Sequence, residues 1–104
     1  MAADRRRHVI WVGLEVRDDT SYAAYRARIT PMLEQRGGSF GHDFVVARVL
    51  RSEASMTMNR VFMMAFPDRA TREAFFADPD YRRVRADLFE PAVASTHFLT
   101  EYDE

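Results

Sequence analysis

Hydrophobic and polar positions alternate from His8 to Val16. Ile10, Val12, Leu14 and Val16 form a uniformly aliphatic set, and Val9, Trp11, Gly13 and Glu15 form a mixed one. A period of two marks a strand with one face on a core. The stretch Arg60–Phe66, RVFMMAF, alternates too, yet both of its sets are apolar: Val61, Met63 and Ala65 against Phe62, Met64 and Phe66. Such a strand needs cover on both faces. A chain of 104 residues can supply helices for one face only, so a second copy is expected over the other.

The pattern between and after these strands changes to a helical period. Asp18, Asp19 and Thr20 offer caps for a helix running to about Arg36, with Tyr22, Tyr25, Ile29, Met32 and Leu33 on one face. Pro31 predicts a kink or restart, and Gly37-Gly38 predicts the end. A second strand is expected within Phe44–Leu50, followed by a polar connection to Asn59. Pro67 stops the third strand, and Asp68 caps a helix carrying Ala74, Phe75 and Phe76. Asp78-Pro79 starts another helix, which presents Tyr81, Val84, Arg85 and Leu88 and breaks near Pro91. The fourth strand, Val93–Tyr102, places Thr96, Phe98, Thr100 and Tyr102 on one side and His97, Leu99 and Glu101 on the other.

The order β-α-β-β-α-β predicts an α+β, ferredoxin-like sandwich, with both helical layers on one face of an antiparallel sheet. The open face then carries Trp11, one apolar set of strand three, and Leu99. A homodimer stacking sheet on sheet would bury it.

Composition narrows the reading. The length suits one domain over residues 1–104, with 1–7 expected as a flexible arm around the run Arg5-Arg6-Arg7. No cysteine occurs, which removes thiolate catalysis, disulfides and cysteine zinc sites. Net charge is −1, without the basic excess of a nucleic-acid surface. RNA-recognition domains share this element order, but they need a basic, glycine-containing third strand with exposed aromatics, which RVFMMAF is not. No segment is long and apolar enough for a membrane span. The basic-then-apolar start is short, alternating and interrupted by Glu15, so a cytoplasmic protein is expected.

Several residues together resemble a known family. They are Tyr22 with Tyr25, Pro31, Gly37-Gly38, Ala65-Phe66-Pro67, Ala74-Phe75-Phe76 and Asp78-Pro79-Asp80-Tyr81. In these the chain is similar, from about His8 to Glu101, to the domain-of-unknown-function 1330 family of the dimeric α+β barrel superfamily. It departs from the family at Leu88, where an arginine is usual, and at Glu101-Tyr102, where Glu-Gly is usual. The resemblance implies a homodimer with the barrel fold. Superfamily relatives include cofactor-independent monooxygenases, isomerases and lyases of small molecules, so an enzyme of that type without a cofactor is one expectation. A non-catalytic dimeric module that binds a ligand or another protein is the alternative.

Candidate chemistry follows from the expected pairing of strands one and four. His97 and Glu15 share the open face, as a general base with its orienting carboxylate or as an interface hydrogen bond. Trp11 would wall such a site and Gly13 would leave room, unless a bulge or bulky neighbour takes that space. Tyr22 and Tyr25 either pack or donate hydrogen bonds to a developing oxyanion. Tyr81 and Arg85, one turn apart, either hold an anion or carboxylate between them or leave Arg85 exposed, paired with Asp87, Asp80 or nothing. No metal site is expected, because His8, His42 and His97 lack ligand spacing.

Overall fold

A computed structural model describes residues 6–104, residue 54 by its backbone alone. Its elements are β1 (His8–Val16), α1 (Asp19–Gln35), β2 (Ser39–Val45), β3 (Arg60–Phe66), α2 (Arg69–Ala77), α3 (Pro79–Val84) and β4 (Val93–Asp103). The four strands form one antiparallel sheet in the order β2-β3-β1-β4, with the helices packed on one face. This is the expected ferredoxin-like sandwich. Residues 1–5 of the expected arm lie outside the described residues, while Arg7 forms a two-point ion pair with Glu104.

Each helix starts where a carboxylate can satisfy its free amides. Asp18 accepts from the Ser21 amide, Asp68 from that of Thr71, and Asp78 from that of Asp80. Helix α1 runs unbroken through Pro31. Pro31 is exposed and has no amide to offer the Ala27 carbonyl, and the Thr30 hydroxyl bonds the Arg26 carbonyl just before it at 2.6 Å. At its end the amides of Gly37 and Gly38 return to Glu34 and Leu33, and Gly37 has φ +81°, a conformation glycine adopts freely.

The helix-side core holds Ile10, Leu14, Ile29, Leu33, Phe66 and Phe75, all at most 1% exposed. Burying a side chain of this size is worth about 1.5–3 kcal/mol. On the other face a smaller cluster of Val9, Met63 and Ala65 packs with Trp11.

Two expectations are corrected. Strand β2 lies at Ser39–Val45, five residues before the predicted Phe44–Leu50 starts, because residues 40–43 carry an irregularity that hides its alternation. Strand β4 is bulged opposite Trp11/Val12. Its first half alternates as predicted, with Phe98 beside Val12 and His97 beside Gly13. Beyond the bulge the faces exchange, so that Thr100 pairs with Trp11, Tyr102 with Val9, and Glu101 with Ile10.

Candidate functional site

A cavity of about 100 Å³ lies between sheet and helices. Ile10, Val12, Phe62, Met64 and Phe98 line its sheet side, and Tyr25, Phe76, Tyr81, Arg85 and Phe89 its helix side. The segment after α3 explains the position of two of these residues. Val84 is followed by a π turn, Arg85–Phe89, in which the Glu90 amide bonds the Arg85 carbonyl at 2.9 Å. The wider turn brings both Arg85 and Phe89 to the cavity wall.

Among the described residues, the polar side chains lining the cavity are two phenols, the Arg85 guanidinium and Thr96. The Tyr25 and Tyr81 hydroxyls are 2.9 Å apart in a buried hydrogen bond. Burial pushes both above the ordinary tyrosine value. The neighbouring Tyr81 adds to that push for Tyr25, whereas hydrogen bonding to Tyr25 and the charge of Arg85 offset it for Tyr81. Both phenols are therefore neutral at physiological pH. One of their two protons sits between the oxygens, leaving the other for an acceptor.

Outside this cavity is a wider mouth lined by Arg72, Arg82 and Glu90, which shares Phe76, Tyr81, Arg85 and Phe98 with the cavity. Phe98, 59% exposed, is an apolar side chain standing in that opening.

The predicted residues fall into three places. Tyr25, Tyr81 and Arg85 come together at the cavity. Tyr22 does not. It diverges from Tyr25 toward β2, accepts a hydrogen bond from Arg26 at 2.8 Å, and lines a separate depression with Asp43 and Arg60. Trp11, Gly13, Glu15 and His97 belong to the open face, so the sheet stands between them and the tyrosine pair. Trp11 stacks on His42 with ring centroids 5.7 Å apart and donates to the Tyr102 hydroxyl. The space above Gly13 is filled by Met58, whose Sδ would lie 2.8 Å from an added Cβ, so it is not room for a ligand. The His97 Nε2 is buried without a hydrogen-bond partner among the described residues, and Glu15 does not reach it.

Sequence reasoning missed a polar cluster. His8 is fully buried, with Nδ1 2.7 Å from Asp103 and Nε2 2.5 Å from Glu101, and Glu101 is also 2.9 Å from Arg72. Burial opposes the imidazolium, but the bonds to Glu101 and Asp103 outweigh it and raise the His8 pKa. Burial likewise opposes the Glu101 carboxylate, and His8 with Arg72 outweighs it and lowers its pKa. Among the described residues no group of three acidic or imidazole side chains could hold a metal ion. His8 uses both ring nitrogens on separate carboxylates, so these groups do not converge on a point. No described helix is long and apolar enough to cross a membrane.

Comparisons with known proteins agree on the fold. A protein of unknown function from Rhodopseudomonas palustris superposes with a TM-score of 0.76 at 18% identity, covering 96% of this chain and 82% of its own. A protein from Nitrosomonas europaea carrying the provisional name antibiotic biosynthesis monooxygenase gives 0.58 at 15% identity, over 94% of this chain and 88% of its own. A dimeric ferredoxin-like protein of unknown function from Thermobifida fusca gives 0.56 at 12% identity, over 97% and 92%. No protein of curated function matches by sequence. With residues 9–102 matched by its model, the chain belongs to the family DUF1330, a domain of unknown function.

Proposed function

We propose that this protein is a homodimer that binds a small molecule in the cavity between sheet and helices of each subunit. The observation that carries this reading is the cavity itself: an apolar chamber with two neutral phenols and one guanidinium set into its wall. The dimer is supported by the apolar open sheet face and by the dimeric state of the Thermobifida fusca neighbour. Binding takes precedence over catalysis because, among the described residues, no carboxylate or imidazole lines the cavity to act as a general base. If the site is enzymatic, as the name of the Nitrosomonas europaea neighbour suggests, this chain contributes hydrogen bonds from Tyr25 and Tyr81 to a developing negative charge.

Titration with toluene, followed by NMR of labelled methyl groups, tests the reading. Signals of Ile10, Val12 and Met64 should shift saturably, while those of the exposed Val45 and Leu50 stay put. Equal or absent shifts at all of these methyls would overturn it.

A further inference from the structure

The cavity and its mouth differ in chemistry in a way that specifies a ligand class. The inner chamber is lined by Ile10, Val12, Met64 and Phe89, and its volume of about 100 Å³ is close to that needed by one ring. An engineered apolar cavity of about 150 Å³ takes up benzene. The mouth, sharing Tyr81, Arg85 and Phe98 with the chamber, carries the cations Arg72, Arg82 and Arg85 against one carboxylate, Glu90.

These guanidinium groups are incompletely engaged. Arg82 has no ion pair among the described residues, and its Nε makes only a long 3.4 Å bond to the Phe76 carbonyl. Arg85 meets Glu90 at 3.8 Å, too far for a hydrogen bond; its guanidinium lies 5.0 Å from the Phe89 ring centroid and also interacts with the Tyr81 hydroxyl. The Arg72 Nε is buried. It approaches Glu101 at 2.9 Å as an ion pair but is not aligned to donate a hydrogen bond. Guanidinium groups held beside apolar surface, with donors to spare, favour a planar anion that can accept two bonds at once.

We infer that chamber and mouth form one site for an amphipathic organic acid, whose ring or branched apolar group enters the chamber while its acid group lies among Arg72, Arg82 and Arg85. This rests on the binding reading above. It adds the sign of the ligand's charge and the residues that recognise it. Tyr25 and Tyr81 then meet any acceptor on the inner group, and Phe98 covers the ring where chamber gives way to mouth.

Two probes of matched shape separate the claims: 4-methylbenzoate and its neutral counterpart 4-methylbenzamide, titrated calorimetrically into the full chain. The acid should bind at least tenfold tighter than the amide, and added salt should weaken the acid alone. The double variant Arg82→Gln, Arg85→Gln should lose that preference and bind acid and amide alike, and an unchanged far-ultraviolet circular dichroism spectrum shows that it is folded. Equal or tighter binding of the amide would overturn the acid assignment and leave the cavity reading standing. A preference retained in the double variant would overturn the role given to the arginines. Absence of binding by either probe at millimolar concentration would overturn both readings.

Discussion

At the scale of single residues, His8 shows how a side chain that reads as a strand terminus becomes a fixed charge centre. It is the only one of the three histidines that is fully buried, and a carboxylate meets each of its ring nitrogens. Its pKa is raised, so its contribution to stability is fully present below the unfolded value near 6.5 and is lost as pH climbs through the folded value. Glu101 works in the opposite sense. Its pKa is lowered, so its contribution holds above the ordinary carboxylate value of 4.5 and is lost as pH falls through the folded one. The cluster therefore stabilises most between those limits. Urea midpoints measured across pH should peak at mildly acidic to neutral pH and fall toward pH 9. His8→Phe should flatten the alkaline fall and lower stability at pH 6 by about 2 kcal/mol, the scale of charged hydrogen bonds. A wild-type midpoint that keeps rising to pH 9 would contradict this account. Nothing in the sequence announced the cluster, because Glu101 and Asp103 reach the helix side only through the bulge in β4.

At the scale of elements, legibility followed the strength of the local signal. The span of β1 was readable from strict alternation, and β3 from a seven-residue apolar run stopped by Pro67. The start of α1 was readable from the aspartates before it and its end from two glycines. Strand β2 was not, because its residues are almost all exposed and its irregularity breaks the period, while the apolar positions Phe44, Val45 and Leu50 drew the assignment downstream. The pair Tyr81 and Arg85 was legible as one helical turn, but the π turn that adds Phe89 to the same wall has no sequence signature. Tyr22 misled because a spacing of three places two side chains near each other, with rings 5.9 Å apart, yet lets their hydroxyls diverge. The glycine stop gives a firm prediction. Gly37→Ala forces φ +81° on an L-residue and brings its Cβ to 2.9 Å from Pro67. The left-handed conformation alone costs roughly 1–2 kcal/mol, so the urea midpoint should drop accordingly. A variant as stable as the parent would mean that the turn re-forms another way.

At the scale of the whole molecule, the sheet has two apolar faces and only one is covered by helices. On the other, Val9, Met63 and Ala65 are already buried by their strand neighbours, but the layer above them is open. Phe44, Leu99 and Tyr102 remain 51%, 41% and 42% exposed there, and His42 is stacked between Trp11 and Phe44. A standard protein interface hides about 800 Å² per partner with its aromatic residues near the centre, and one face of a four-stranded sheet is of that order. The unpartnered His97 Nε2 lies on this same face, where a second copy could supply the missing hydrogen bond. Two charges placed in the exposed layer should split the proposed dimer without unfolding the subunit, because surface substitutions cost the monomer little. Phe44→Arg with Leu99→Arg should sediment as a monomer at concentrations where the parent sediments as a dimer, with unchanged far-ultraviolet circular dichroism. If the toluene response of the Ile10, Val12 and Met64 methyls survives in that monomer, ligand binding belongs to the subunit. If the doubly charged variant stays dimeric, the subunits meet elsewhere and the open sheet face needs a different cover.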